Sequence, residues 1–257
     1  EEAFRARADG LTVISTALRK RPVHEGVDPQ RICHLPNGTW PDLFEVPDIA
    51  ECRRKVGLDA AGPVLGYSSL DTHFDLGMMI DVLARIVPKY PDARLLITGN
   101  PPRAISRLAQ TSGVARNLIL TGFLPYEELP WYLGCADVFV MPFPKRIYNI
   151  GRWPCKIGDY MSVGRPIVTN PTGDIKGLFE KHDIGKLAKW DVGDFAQQIT
   201  FLLEHPDIAR DLGENARRVA VAEYNWKVLA EKLEGFYYKI LGLSQSGPTS
   251  SAFGRLP

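Results

Sequence analysis

Three features that would assign a chain to a specialised class are missing from these 257 residues. The sequence has no excess of one charge, because 31 Lys and Arg are balanced by 30 Asp and Glu, for a formal charge of +1. Such a chain has no electrostatic field for non-specific nucleic-acid binding, and we expect no nucleic-acid partner. It has no uncharged apolar run near the roughly 20 residues of a membrane-spanning helix. Its first residues, EEAFRARADG, lack the apolar core of a signal peptide, so we expect a soluble cytoplasmic protein.

Cysteine is scarce, and its spacing excludes the common metal and disulfide patterns. The four cysteines are Cys33, Cys52, Cys135 and Cys155, and they include neither a CxxC pair nor a ligand spacing with the five histidines. We predict buried thiols in a reducing compartment, with no structural metal, no disulfide and no cofactor.

From about residue 60 onward, short β-rich runs alternate with helical runs. This alternation is typical of a parallel sheet with helices on both faces, and we predict a Rossmann-like, doubly wound α/β domain. The predicted strands of this domain are 63–67, 93–98, 117–121, 137–142 and 165–169. The predicted helices are 76–87, 103–110, 125–136, 154–163, 194–204, 206–222 and 226–241.

The two ends of the chain fit this unit less well. Residues 1–36 contain two predicted strands, 11–15 and 32–35, and we expect them to be the remnant or edge of a neighbouring N-terminal domain with its linker. Residues 37–241 then form the Rossmann-like domain. Residues 242–257 are rich in Ser, Gly and Pro and lack carboxylates, which predicts a flexible tail.

Open parallel sheets bind ligands outside the carboxyl ends of their strands, so the loops at those ends are the candidate site. Four such loops stand out: Ser68-Ser69, Gly99-Asn100, Gly122-Phe123 and 149–154. Gly99 and Gly122 would let a ligand approach the backbone, although such residues are more often plain turn glycines.

The loop 149–154 is the most informative because of the helix that follows it. Pro154 is predicted to be the first helical residue, and the two residues before it offer no side-chain oxygen to cap the helix. Uncapped N–H groups at a helix N-terminus bind anions, and Lys156 in the first turn opposes the helix dipole unless an anion neutralises it. Lys156 and Asp159 are therefore predicted to bind a phosphate and ribose hydroxyls. The alternative is a surface ion pair between them, worth about 0.3 kcal/mol.

Five segments follow one another along the chain: HLPNGTWPDLF, PVLGY, ARLLITG, NLILTGFLPYEELPWYLGCADVFVMPF and PCKIGDYMSVGRPIVT. In order and spacing they resemble the C-terminal half of GT-B glycosyltransferases, and most closely the family-4-like retaining enzymes. The resemblance runs from about residue 11 to residue 241 and includes Tyr224-Asn225-Trp226. It implies a domain that binds a nucleotide-sugar donor without a metal ion, whereas a separate N-terminal domain binds the acceptor.

The resemblance also implies roles for individual residues. Lys156 would be the catalytic group that contacts the diphosphate, and Asp159 would bind the ribose, because P-x-K-x-x-D-Y matches a subgroup that has P-x-K-x-x-E-Y. The backbone of Gly122, Phe123 and Leu124 would face the base. The remaining predicted donor-site residues are Ser68, Ser69, Gly99, Asn149, Gly151, Arg152 and Tyr160.

The sequence departs from the family pattern at two places. Gly151 occupies the position of the first of two glutamates separated by seven residues, which usually holds the transferred sugar. The loop after the first strand usually supplies an arginine and a lysine for the diphosphate, whereas this chain has Ser68-Ser69 and, near the lysine position, Asp75. Phosphate binding would then depend mostly on Lys156 and the helix N-terminus.

We therefore expect the donor-binding half of a glycosyltransferase that uses a nucleoside-diphosphate sugar, with a slight preference for uridine. The acceptor would be a saccharide or lipid-linked saccharide, bound by the missing N-terminal domain, and the chain alone would bind nucleotide without transferring sugar. The alternative is a non-catalytic module that serves interaction or regulation, which Gly151 and the missing basic residues favour.

Two further alternatives have less support from the residues. An epimerase acting on nucleotide sugars shares the fold, but its catalytic carboxylates have no counterpart that we can place. The basic runs Arg19-Lys20-Arg21 and Lys145-Arg146 leave open a peripheral contact with the inner membrane face, although short basic runs are usually solvated surface.

Overall fold

The computed structural model describes residues 2–58, 61–68 and 76–244, and its strands form two parallel sheets. The smaller sheet pairs β1 (Leu11–Val13) with β2 (Ile32–His34). The larger sheet contains β3 (Val64–Ser68), β4 (Arg94–Thr98), β5 (Leu118–Leu120), β6 (Val138–Met141), β7 (Ile167–Thr169) and β8 (Gly185–Leu187). Its spatial order is β5-β4-β3-β6-β7-β8, and every neighbouring pair is parallel. The predicted doubly wound parallel sheet is thus confirmed.

The described residues form twelve α-helices, several of which cover the two faces of the larger sheet. They are α1 (Glu2–Arg7), α2 (Thr16–His24), α3 (Ile49–Lys55), α4 (Leu76–Ile86), α5 (Arg103–Thr111), α6 (Leu129–Gly134), α7 (Ile147–Ile150), α8 (Lys156–Val163), α9 (Asp174–His182), α10 (Val192–Glu204), α11 (Pro206–Glu223) and α12 (Trp226–Leu241). Side chains of α4, α5 and α10 form a buried cluster on one face, and those of α6, α8, α9 and α11 form another on the opposite face. The central strands are apolar on both sides because both faces are covered.

Several elements differ from the sequence predictions for identifiable physical reasons. The predicted helix 154–163 begins at Lys156, two residues later, and the predicted helix 125–136 shortens to α6. The region of α2 was interpreted as a basic stretch, and the helix contains a proline, Pro22, in its interior. Helix α3 and strand β8, which is only three residues long and incompletely buried, are not predicted from the sequence, and the region of α9 is predicted to be a loop.

The first segment of the chain packs against the main domain through specific contacts. The Ser15 hydroxyl donates to the Gly151 carbonyl oxygen at 2.9 Å, and the Thr16 backbone N–H donates to the Asp174 carboxylate at 2.8 Å. These bonds connect the segment after β1 to the loop that follows α7 and to the first residue of α9. The assignment of residues 1–36 to a neighbouring domain stays a prediction. Of the predicted tail 242–257, residues 245–257 lie outside the described part.

The cysteine prediction needs one correction. Cys33, Cys52 and Cys135 are buried as predicted, but Cys155, the N-cap residue of α8, is exposed. Among residues 2–58, 61–68 and 76–244, the structure has no group of three His, Cys, Asp or Glu side chains placed to hold a metal ion. The helices of that part of the chain are all too short or too polar to cross a membrane.

Candidate functional site

The order of the strands creates a crevice at the carboxyl edge of the larger sheet. From β3 the chain proceeds through β4 and β5 to one side, and then returns to β6 and proceeds through β7 and β8 to the other side. The connections of β3 and β6 therefore diverge, and ligands of open α/β sheets bind where this happens. The predicted loops beginning at Ser68, Gly99 and Gly122 lie at the ends of β3, β4 and β5 at this edge, whereas Asn149, predicted to begin a loop, lies in α7 between β6 and α8.

Lys156 on α8 is joined to the end of β3. Its ammonium group donates a hydrogen bond to the Ser68 carbonyl oxygen and lies 4.1 Å from the centroid of the Tyr67 ring. The Tyr160 hydroxyl, one turn further along α8, accepts a hydrogen bond of 2.7 Å from the Ser68 backbone N–H. These contacts hold a positive charge at the carboxyl end of β3, in the crevice.

The N-terminus of α8 is capped by no side chain, as predicted, although the helix starts later than expected. Cys155 is the N-cap residue, has helical backbone angles and makes no capping bond through its side chain. The N–H groups of Ile157 and Gly158 bond to the Pro154 and Cys155 carbonyls at 3.2 and 3.0 Å in a tight first turn. The positive end of the helix dipole and Lys156 therefore lie together, an arrangement that favours a bound anion.

Asp159 lies in the first turn of α8 and is half-buried. Burial raises the pKa of its carboxyl from 3.8 to about 7, and a hydrogen bond of 3.3 Å from the Thr39 hydroxyl opposes this rise. Lys156 instead extends to Ser68, so the contacts of the two side chains differ from those of a surface ion pair. A carboxyl group in this position can accept hydrogen bonds from the hydroxyls of a ligand.

The Thr39 hydroxyl contacts the Asp159 carboxyl, and the Ser162 hydroxyl contacts that of Thr39. Neither residue is among the predicted site residues. The Thr39 hydroxyl lies 3.1 Å from the Ser162 hydroxyl, which donates to the Gly158 carbonyl oxygen at 2.8 Å. A Cβ on Gly158 would lie 2.9 Å from the Cβ of Thr39, so glycine is required for this close approach. A glycine in the first turn of the predicted helix is the sequence signal that could have indicated a closely packed partner.

The loops after β4 and β5 meet at two glycines. Gly99 and Gly122 both have positive φ angles, of 97° and 71°, and the Gly99 N–H donates to the Gly122 carbonyl at 2.8 Å. The next side chain, Phe123, is 78% exposed, and Leu124 is partly buried. The structure therefore brings together these backbone segments, and their contact with a base stays a prediction.

The other predicted site residues have different environments. Asn149 is buried and donates to the Pro144 carbonyl at 3.0 Å, and Tyr160 is fully buried and stacks on Phe139. Both side chains therefore support the candidate site from the core. Arg152 is exposed, with its guanidinium group 5.6 Å from the centroid of the Phe143 ring.

Gly151 and Ser69 complete the predicted set. A Cβ on Gly151 would meet its nearest neighbour, a methyl group of Leu18, at 3.4 Å, so a side chain fits here with small adjustments. Ser69, and Asp75 at the position where the family usually has a lysine, lie outside the described residues.

Known proteins resemble this chain in sequence. Residues 64–205 match the family model of the glycosyl transferases group 1. The chain is 29% identical over 239 residues to the GDP-mannose-dependent α-(1-6)-phosphatidylinositol monomannoside mannosyltransferase of Mycolicibacterium smegmatis, covering 89% of this chain and 63% of that protein. It is 23% identical over 213 residues to the α-D-kanosaminyltransferase of Streptomyces kanamyceticus, covering 82% and 54%.

Solved structures show the same fold. The sucrose-phosphate synthase of Thermosynechococcus elongatus superimposes with a TM-score of 0.76 at 23% identity, covering 94% of this chain and 60% of that one. Anabaena HepE, solved in complex with UDP, superimposes with a TM-score of 0.74 at 17% identity, covering 90% and 64%. The chain thus spans between about half and two thirds of the length of these relatives.

Proposed function

The chain belongs to the glycosyl transferases group 1, and we propose that it is the half of a glycosyltransferase that binds the nucleoside-diphosphate sugar. One observation carries this proposal, namely the uncapped N-terminus of α8 with Lys156 beside it at the carboxyl end of β3. An anion with two phosphates fits this site, since one phosphate can accept from the helix N–H groups while Lys156 neutralises the other.

In the proposed mechanism, this chain stabilises the leaving group of the transfer. When the bond between the sugar and the diphosphate breaks, negative charge develops on the phosphate oxygen that leaves. Lys156 and the dipole of α8 are fixed before the reaction and stabilise that charge as it forms. Asp159 accepts hydrogen bonds from the ribose hydroxyls and so places the diphosphate against the helix.

The base and the acceptor are proposed from the relatives. HepE was solved with UDP, and the mycobacterial relative is named for GDP-mannose. We propose a UDP- or GDP-sugar, with the family resemblance favouring uridine. The mycobacterial relative is also named for a phosphatidylinositol mannoside, which supports a saccharide or lipid-linked saccharide as acceptor and a peripheral contact with a membrane. A further domain, corresponding to the additional length of the relatives, would bind that acceptor.

Calorimetric titration of UDP, GDP and ADP into the chain and its Lys156→Ala variant tests the sugar-donor site. We expect saturable binding of one nucleotide and a loss of about 100-fold in affinity in the variant, because a charge-assisted bond to phosphate is lost (~3 kcal/mol). Lys176→Ala is the matched control, since Lys176 lies in the first turn of α9, exposed and 3.6 Å from Glu180. Equal binding by both variants, or binding of none of the three nucleotides, would contradict the proposal.

A further inference from the structure

A chain of hydroxyl groups connects Asp159 to the backbone of its own helix. The Asp159 carboxyl lies 3.3 Å from the Thr39 hydroxyl, and that hydroxyl lies 3.1 Å from the Ser162 hydroxyl. Ser162 in turn donates to the Gly158 carbonyl oxygen at 2.8 Å. Thr39 and Ser162 are buried, so solvent does not replace these bonds.

The number of hydrogens in this chain depends on the protonation of Asp159. Each hydroxyl carries one hydrogen, and that of Ser162 is used on the Gly158 carbonyl. If Asp159 is protonated, it donates to Thr39, and Thr39 then donates to Ser162, so every contact is a hydrogen bond. If Asp159 is ionised, Thr39 must turn its hydrogen to the carboxylate, and the contact between Thr39 and Ser162 loses its hydrogen. The hydroxyl groups therefore make one more hydrogen bond when the Asp159 carboxyl is neutral than when it is ionised.

We propose that Ser162 is a positioning residue that accepts the Thr39 hydrogen and so keeps Asp159 protonated in the free protein, and that binding of a nucleotide sugar releases this proton to solvent. The inference rests on the proposed function, since it takes the ribose of the sugar donor as the ligand of Asp159. Two ribose hydroxyls that donate to the Asp159 carboxylate supply the hydrogens that Thr39 and Ser162 cannot, and so favour the ionised form. No covalent bond changes: the carboxyl O–H loses its proton to the buffer as the ribose binds.

The titratable and charged groups around Asp159 are consistent with a neutral carboxyl. Burial raises the pKa of its carboxyl to about 7, and the pKa of Tyr126, in the connection to α6, is also raised, so that this phenol is neutral. From α11, Arg217 donates to the Ser162 and Pro41 carbonyl oxygens and lies 3.8 Å from Glu45.

On α8 itself, two neighbours of Asp159 make hydrogen bonds with the end of β3. Lys156 donates to Ser68 at the end of β3, and the buried Tyr160 hydroxyl accepts from the Ser68 backbone N–H and has a raised pKa. Within residues 2–58, 61–68 and 76–244, the Asp159 carboxyl thus has a hydroxyl, and no cation, as its hydrogen-bond partner.

The inference predicts opposite effects for two hydroxyl deletions. Ser162→Ala removes the acceptor that competes for the Thr39 hydrogen, so the pKa of Asp159 should fall by about half a unit to one unit. Thr39→Val removes the donor that the ionised carboxylate needs, so the pKa should rise. A merely structural role for these hydroxyls would shift the pKa in the same direction in both variants, or in neither.

The test uses UDP-glucose and GDP-mannose, whose diphosphates are esterified at both ends and do not titrate near neutral pH. Calorimetry at pH 6 in two buffers of different ionisation enthalpy counts the protons released, and titrations from pH 5.5 to pH 8 give the affinity profile. We expect release of nearly one proton at pH 6 and an affinity that rises up to about tenfold per pH unit and levels off above the pKa of Asp159. Carbon NMR of aspartate-labelled free protein, with Asp159→Asn for assignment, measures that pKa directly.

The variants separate the possible results. Ser162→Ala should bind several-fold more tightly than the parent at pH 6, Thr39→Val more weakly, and the control Thr111→Val, on α5, should match the parent. Binding without proton release, or an Asp159 pKa below about 5, would overturn this inference and leave the proposed function intact. If neither nucleotide sugar binds at any pH, the proposed function fails and the inference fails with it.

Discussion

Two helices of the same domain, α8 and α10, begin in opposite ways. At α10, the Asp191 side chain accepts from the Asp194 N–H at 2.8 Å, and the Asp194 carboxylate accepts from the Lys189 N–H at 2.6 Å. At α8, no side chain caps the helix, and the first helical residue is a lysine. The first arrangement caps the helix with a side chain and complements the dipole, whereas at α8 the Ile157 and Gly158 N–H groups bond only to backbone carbonyls and the lysine opposes the dipole.

The difference indicates that the two helix starts serve different purposes. Two carboxylates stabilise the start of α10 without any outside group, because they lie beside its N-terminal N–H groups. The start of α8 adds a positive charge to a positive dipole end in the crevice, an arrangement that destabilises the free protein and favours a bound anion.

The largest expected effect comes from exchanging the acidic residue in each first turn for its amide. Asp159 has a pKa raised to about 7, so the folded state holds a proton that the unfolded state loses near pH 4. The stability from this proton is fully present below pH 4 and is lost as the pH rises through 7. Asp159→Asn should therefore be more stable than the parent at pH 8, by ~2 kcal/mol, since three pKa units set an upper limit of about 4 kcal/mol and the group is half-buried.

Urea denaturation at pH 5 and pH 8 measures this difference. The matched variant Asp194→Asn should destabilise at both pH values, because the Asp194 carboxylate accepts a backbone hydrogen bond. A lower stability of Asp159→Asn at pH 8 would show that the charge of Asp159 is stabilised in the fold.

The next effect comes from giving α8 an acidic N-cap residue like Asp191 of α10. Cys155 is exposed at the N-cap position, so Cys155→Asp adds a negative charge beside the helix N–H groups and Lys156. We expect the affinity for UDP-glucose or GDP-mannose to fall about tenfold (~1.4 kcal/mol), because the carboxylate competes with the diphosphate. Cys155→Ser controls for loss of the thiol and should bind like the parent, and calorimetry compares the three. Unchanged affinity in Cys155→Asp would place the anion elsewhere.

The smallest effect comes from removing the cap of α10. Asp191→Ala should lower the free energy of unfolding by about 1 kcal/mol, because the Asp194 N–H loses its acceptor. Affinity for nucleotide should not change. Denaturation and calorimetry on the same variant check both statements, and Asp207→Ala, in the first turn of α11 but outside its N-cap position, is the control. A loss of nucleotide affinity in Asp191→Ala would remove the contrast between the two helices.

The sequence predicted the elements whose local pattern and packing agree. The apolar runs of β3, β4 and β6 and the periodic Leu76, Met79, Ile80 and Leu83 of α4 are buried in the structure. By contrast, β8 has only three residues. Helix α9 follows its N-cap residue Gly173, whose φ of 56° and close approach to the Ile150 carbonyl depend on the neighbouring loop. Such elements are stabilised by tertiary contacts more than by their own residues.

The same limit applies to the candidate site. Lys156 and Asp159 could be found because they share the first turn of one helix with a missing cap. Thr39 could not, because it lies 120 positions before Asp159, in a segment whose backbone bonds to Tyr224 and Trp226. Sequence patterns within one element do not report contacts of this kind.

A crystal structure of the chain with UDP-glucose or GDP-mannose bound, whichever binds in solution, tests the central claim most directly. Our account predicts diphosphate oxygens within hydrogen-bond distance of the Lys156 ammonium group and of the first N–H groups of α8, with the ribose against Asp159. A nucleotide sugar bound with its diphosphate away from α8 would contradict it.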